Sequence, residues 1–257
     1  MKKIQEHISE LDSMKKYPEE LFYEGNLALL KQVKVSIIGS RRPSKYSKEL
    51  THKLAKSLSQ RGVSVVSGGA MGIDAIAHMG AGEFSTISVL PCGVDVKYPA
   101  VNKNLLSAIE KNGLLLSQFQ NSFKATPWSF VVRNELVVAL GDVLVVAEAE
   151  LNSGSMRSIE FALKMGKKIY VLPQRLGESE ATNQLLKEGK AEAIYSVEDF
   201  VSKFATLATP NVVSDEFLLY CEKNPTYEEL LQKYPDRVFE AELNGEIKVL
   251  NAVVYLS

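Results

Sequence analysis

Short runs of apolar, often β-branched residues recur from residue 34 onward, and a stretch with helical periodicity follows nearly every one of them. The runs predict β-strands at residues 34–39, 63–69, 85–93, 113–117, 142–148 and 167–173. The intervening stretches predict helices at residues 47–61, 72–82, 102–112, 128–140 and 155–166. Because parallel strands are joined by such crossovers, the alternation predicts an α/β fold, a Rossmann-like, doubly wound and mostly parallel sheet.

The ends of the chain lack this alternation and predict separate parts. Residues 1–30 are interpreted as an arm that packs on the main domain (31–204) through Leu21, Phe22 and Tyr23. Residues 205–213 read as a linker. Residues 214–257 contain three short helical patterns, an Asn244–Gly245 turn and two strand-like runs. This order predicts a small C-terminal winged-helix-like domain.

Composition narrows the classes of function. The net charge of −1 excludes a globally cationic coat for nucleic acid, and the two cysteines exclude a disulfide framework. The spacing of histidines and cysteines predicts no metal site, and the polar first residues predict no signal peptide. The apolar runs are too short to span a membrane. We therefore expect a cytoplasmic protein with no metal, no cofactor and no membrane contact.

Charge is distributed unevenly along the chain. Residues 31–61 contain nine Lys or Arg against one acid, whereas residues 211–257 contain four basic residues against nine acidic ones. An acidic C-terminal part would repel a phosphate backbone. We therefore predict that it contacts protein, or a second copy of the chain, rather than DNA.

Glycine, serine and arginine follow the predicted strands, at the sheet edge where open parallel sheets bind ligands. Small residues there expose backbone N–H groups to an anion, and arginine adds charge-assisted hydrogen bonds. The sequence has neither a P-loop nor a dinucleotide fingerprint, so a phosphate cradle for a mononucleotide or a nucleic-acid backbone fits better. The candidate residues are Gly39, Ser40, Arg41, Arg42, Ser67, Gly68, Gly69, Ala70, Ser153, Gly154 and Ser155.

Long ordered strings carry a resemblance to one family: SIIGSRRPSKYS, SVVSGGAMGIDAIAHMGA, VLPCGVDVKYP, FVVRN and AELNSGSMRSIEFALKMGKKIYVLPQ. Together they resemble the DNA-processing protein A (DprA/Smf) family over about residues 33–195. The resemblance implies an extended Rossmann fold that binds single-stranded DNA without reading its sequence. It also implies a homodimer that passes the strand to the RecA recombinase during natural transformation. The residues themselves show no catalytic constellation, so we expect no enzymatic activity.

The resemblance adds three residues to the candidate site and leaves their roles open. Phe130 matches an aromatic residue near the strand, where it would either stack on a base or pack in the core. Arg133 and Asn134 match the family's Arg-Asn pair and would contact either the strand or the neighbouring loop. The family continues this pair with arginine, whereas this chain has Glu135.

Two further observations point to alternatives. Glu160 lies at the offset of a conserved glutamate in phosphoribohydrolases that act on nucleoside monophosphates, although their paired glycines are absent here. Asp74 and His78 are four residues apart on one helical face. They could form an acid–base pair, but we expect them to bond to each other and fix the turn at residues 67–72.

Overall fold

The computed structural model describes residues 2–205, 216–221, 224–243, 246–250 and 252–256. The chain divides into two compact units, Met1–Pro210 and Asn211–Ser257. Among the described residues, no helix combines the length and the apolar character needed to cross a membrane.

The larger unit is built on one sheet. Its strands are β1 (Lys2–Lys3), β2 (Phe22–Gly25), β3 (Lys34–Ile38), β4 (Ser64–Ser67), β5 (Thr86–Leu90), β6 (Leu114–Ser117), β7 (Val143–Val146), β8 (Lys168–Val171) and β9 (Glu192–Ala193). Among the described residues they lie in the order β1-β2-β6-β5-β4-β3-β7-β8-β9. Strands β3 to β9 pair in parallel, whereas β1 and β2 are antiparallel to their neighbours. The fold is therefore the predicted Rossmann-like, mostly parallel sheet.

Helices cover both faces of this sheet. They are α1 (Lys45–Ser59), α2 (Ile73–Ala81), α3 (Lys103–Asn112), α4 (Pro127–Leu140), α5 (Ser155–Lys164), α6 (Glu180–Lys187) and α7 (Val197–Ala205). Successive strand residues alternate between two apolar clusters, as in β3, where Ile37 packs with α1 and α2 and Ile38 packs with α4 and α5. Both faces are buried, which explains why the parallel strands read as continuous apolar runs.

The structure adds elements that the sequence pattern did not predict. Residues 22–25 form β2, which pairs with β6, so the N-terminal arm contributes to the sheet itself. Leu21 and Phe22 are buried there, and Tyr23 is partly buried. Helices α6 and α7 and the two-residue strand β9 are also additions. Short edge strands are too brief to produce a recognisable period in the sequence.

The smaller unit contains α8 (Glu216–Cys221), α9 (Tyr227–Lys233), α10 (Pro235–Leu243) and the antiparallel strands β10 (Ile247–Leu250) and β11 (Val253–Leu256). Its own apolar cluster includes Phe217, Leu230, Val238 and Val254. The element order matches that used to predict a winged-helix-like domain, and that assignment stays a prediction. The predicted linker beyond residue 205 and the Asn244–Gly245 turn lie outside the described residues.

Candidate nucleic-acid interface

The strand order places a crevice at the carboxyl ends of β3 and β7. From β3 the chain builds outward through β4, β5 and β6, and then returns to the other side of β3 with β7 and β8. The loops after β3 and β7 therefore diverge, which is where open α/β sheets bind ligands. A cleft of about 410 Å³ opens at this point, and these predicted site residues line it: Gly39, Ser40, Arg41, Ala70, Phe130, Arg133, Asn134, Ser153, Gly154 and Ser155.

The β7 side of the cleft presents the start of α5. Gly154 precedes the helix, and no side chain caps its start. The N–H groups of Met156 and Arg157 donate to the backbone carbonyls of Ser153 and Gly154, at 3.1 and 3.3 Å. The Ser153 hydroxyl is buried and has no hydrogen-bond partner among the residues that the structure describes. The positive end of the helix dipole attracts anions. This wall of the cleft can therefore accept a phosphate.

The β3 side presents a cation beside an aromatic ring. Arg41 is exposed, lines the cleft, and holds its guanidinium carbon 5.6 Å from the centroid of the Phe130 ring. Arg42 is equally exposed but does not line the cleft, and its backbone N–H donates to the Ser40 hydroxyl at 3.0 Å. Of these two predicted arginines, Arg41 is therefore the one that faces the cleft.

Phe130 separates the cleft from a second, smaller cavity. The ring is half-buried and meets Tyr98 edge-on at a centroid distance of 5.9 Å. Met71 and Pro99 join these two rings around a space of about 30 Å³. Tyr98 and Met71 were not predicted as site residues, because only the fold brings the loops after β4 and β5 beside α4.

Arg133 is buried and binds protein groups. Its Nη1 donates to the carbonyl oxygens of Gly68 and Val89, the latter at 3.3 Å, and lies 3.9 Å from the Asp74 carboxylate. Its side chain is 5% exposed. Arg133 thus joins α4 to the loops after β4 and β5 and forms part of the cleft floor.

The loop after β4 was predicted to donate N–H groups to a ligand, but in the structure its polar groups bond to other parts of the protein. The Ser67 hydroxyl donates to the Ile37 carbonyl at 2.6 Å, and Gly68 and Gly69 are buried. The Ala70 N–H donates to the Asp74 carboxylate at 3.3 Å. An internal carboxylate therefore occupies the place that the prediction gave to an external phosphate.

Asp74 and His78 do not bond to each other as expected. The Thr86 hydroxyl donates to the Val65 carbonyl, so His78 Nδ1 donates to Thr86 Oγ1, at 2.6 Å. Burial lowers the pKa of His78 to about 3, which keeps the ring neutral. Burial also raises the pKa of Asp74, and the neighbouring Arg133 opposes that rise. Asp74 and His78 thus bind different partners and do not form the alternative acid–base pair.

The other candidate reactive residues are also paired or buried. Glu160, the residue behind the hydrolase alternative, forms an ion pair with Arg157 at 2.9 Å. Cys92 is buried, and burial raises the pKa of its thiol to about 11. Within the described ranges, no group of three or more His, Cys, Asp or Glu side chains could hold a metal ion.

Comparison with known proteins agrees with this architecture. The family model for DNA recombination-mediator protein A matches residues 2–205. The chain belongs to this family. A DNA processing protein DprA from Streptococcus pneumoniae is 37% identical over 191 residues, which cover 73% of this chain and 67% of that protein. The Bacillus subtilis DprA is 33% identical over 187 residues, 71% of this chain and 63% of its own length.

A solved structure supports the same assignment. The DNA processing protein A of Helicobacter pylori is 41% identical and superposes with a TM-score of 0.78, over 80% of this chain and 95% of that one. That protein is described as having a single-stranded DNA binding mode. The chain spans about two thirds of the length of the two curated relatives above.

Proposed function

We propose that this chain binds single-stranded DNA in the cleft between β3 and β7, chiefly through the phosphate backbone. The observation that carries the proposal is Arg41, an exposed cation that lies over Phe130 and faces the uncapped start of α5 across one cleft. A cation and a helix N-terminus suit a phosphate, and an adjacent aromatic ring suits a base.

Each part of the cleft would have a separate task. The α5 N-terminus and the Ser153 hydroxyl would donate hydrogen bonds to phosphate oxygens, and Arg41 would pair with the same or the next phosphate. Phe130 would stack against a base, while the buried Arg133 would hold the loop beneath it. Because phosphate contacts and stacking are common to all four bases, the binding would not depend on sequence.

The family and its relatives support a wider role for the whole protein. We propose that it acts without enzymatic activity, as a homodimer in the cytoplasm that gives the bound strand to the RecA recombinase during natural transformation. The family's description as a recombination mediator supports this role. The single-stranded DNA binding mode of the Helicobacter pylori relative supports the ligand.

The test compares two neighbouring arginines by fluorescence anisotropy with a labelled oligo-dT strand. Arg41→Ala removes a charge-assisted contact of about 1.5–3 kcal/mol, so we expect affinity to fall roughly 10- to 150-fold and to depend less on salt. Arg42→Ala is the matched control, since it removes the same charge from an exposed side chain outside the cleft. Equal losses in the two variants would argue against a clamp in the cleft, and no binding by the folded wild type would refute the proposed function.

A further inference from the structure

One exposed face of α1 carries a row of basic side chains. Lys45, Lys48, His52 and Lys56 are three or four residues apart and all exposed, and we call them the α1 stripe. Residues at this spacing lie above one another on a helix. The opposite face of α1 is buried against the sheet through Leu54 and Leu58. The stripe is thus turned away from the core and contributes nothing to it.

Two lysines of the stripe lack an ion-pair partner among the described residues, although one exposed acid, Glu49, lies on the same face of α1. Lys48 and Lys56 form no ion pair with any residue that the structure describes, and Lys45 has a loose one with Glu49 at 3.7 Å. Helix α2 packs beside α1, and its only acid, Asp74, is buried against Arg133. Lys53, on the same helix but outside the stripe, differs from these two lysines because it forms an ion pair with Glu198 of α7 at 3.1 Å.

The stripe begins at the cleft. Arg41 and Arg42 come just before Ser44, whose hydroxyl caps α1 by accepting the Ser47 N–H. The Ser44 N–H donates to the Glu148 carboxylate at 2.9 Å, which ties the start of α1 to the end of β7. With a rise of about 1.5 Å per residue, the stripe extends about 16 Å away from this point. The basic side chains of the stripe therefore follow those of Arg41 and Arg42 along the chain, from the cleft onto α1.

We propose that the α1 stripe binds the phosphates of the same DNA strand after the strand leaves the cleft. This inference rests on the proposed function and adds a second contact zone to it. Lysine suits this task because its ammonium is a mobile point charge that can follow a flexible backbone. Short strands would occupy the cleft alone, whereas longer strands would also cover the stripe and gain affinity with length.

The experiment measures anisotropy for labelled oligo-dT strands of about 6 and about 20 nucleotides across a salt series. We expect the Lys48→Gln/Lys56→Gln variant to bind the short strand as wild type does and the long strand several-fold more weakly. Each phosphate contact to a single strand contributes about 0.7 to the slope of log affinity against log salt. The slope for the long strand should therefore fall by about 1.4.

The control is Lys103→Gln/Lys111→Gln on α3. These lysines are exposed and eight residues apart on one helix, so the change in charge and spacing is the same. Helix α3 packs beside β5 and β6, not beside α1, and this variant should bind both strands as wild type does. An equal loss of affinity in both variants would refute the proposed role of the stripe and indicate general electrostatic attraction instead.

Two other outcomes separate the stripe from the proposed function. If the Lys48→Gln/Lys56→Gln variant bound the long strand with the affinity and salt slope of wild type, the role of the stripe would be refuted. The proposed binding in the cleft would be unaffected. Failure of the folded wild type to bind either strand would refute the proposed function, and the stripe with it.

Discussion

Replacement of Arg133 by methionine tests whether this arginine serves the fold or the DNA strand. The side chain is 5% exposed, donates to two buried carbonyl oxygens and lies beside Asp74. Methionine keeps much of the volume but leaves a buried carboxylate without its cation. Breaking a buried pair in this way costs about 3–5 kcal/mol. A domain of ordinary stability, about 5–15 kcal/mol, would still fold but with a much smaller margin.

The free energy of unfolding can be measured by urea denaturation followed by far-UV circular dichroism. Asp74→Asn in the Arg133→Met background should recover about 2 kcal/mol, because it removes the uncompensated charge while its carbonyl can still accept the Ala70 N–H. The control is Arg157→Met, which breaks an exposed ion pair with Glu160 and should change stability by less than about 1 kcal/mol.

The result that would refute this reasoning is specific. If Arg133→Met unfolded at the urea concentration of wild type but lost affinity for oligo-dT, the guanidinium would serve the strand rather than the loop after β4. The structural role instead predicts a loss of stability, with the folded variant still dependent on Arg41 for binding.

Three further predictions follow from buried or separate parts of the molecule. Because the pKa of His78 in the folded protein is about 3, the unfolded chain takes up a proton on this histidine first as the pH falls. The free energy of unfolding should therefore decline between about pH 6.5 and pH 3, by up to about 1.4 kcal/mol per pH unit. In a series of denaturation curves against pH, His78→Gln should flatten this decline. In Gly68→Ala the new methyl group would overlap the Arg133 guanidinium, so a thermal melt should show destabilisation, whereas Gly154→Ala, with open space around it, should melt near wild type. Removal of residues 211–257 should not weaken binding of oligo-dT by more than about threefold, because an acidic unit offers no attraction to a phosphate backbone; a larger loss in the anisotropy assay would contradict this.

The sequence predicted the central sheet well because that sheet is buried on both faces. All four residues of β7, for example, are apolar, and each faces one apolar cluster or the other. β2 escaped prediction because its four residues, FYEG, mix polar and apolar types at the edge of the parallel strands. Pairing with β6 gives this segment its structure, and no local pattern records that pairing.

The candidate site shows the same division. Arg41 and Ser153 were predicted because each follows a strand in a loop of small residues. The different fates of Arg41 and Arg42 could not be predicted, since adjacent residues in a loop have no periodicity that says which faces a ligand. The place of Tyr98 beside Phe130 was also beyond prediction, because it depends on how the loop after β5 lies against α4.

The sequence by itself thus determined the α/β class, the order of the central elements, the edge of the sheet where the cleft lies, and the family. Hydrophobic periodicity and strand-end glycines are local properties, and local properties can be read along a chain. Only the tertiary structure decided that Arg133 holds the Gly68 carbonyl, 65 residues away, and that Asp74 fills the loop predicted to bind phosphate. The physical reason is that a buried polar group takes whichever partner the packing brings within hydrogen-bond distance, and sequence separation does not reveal that partner.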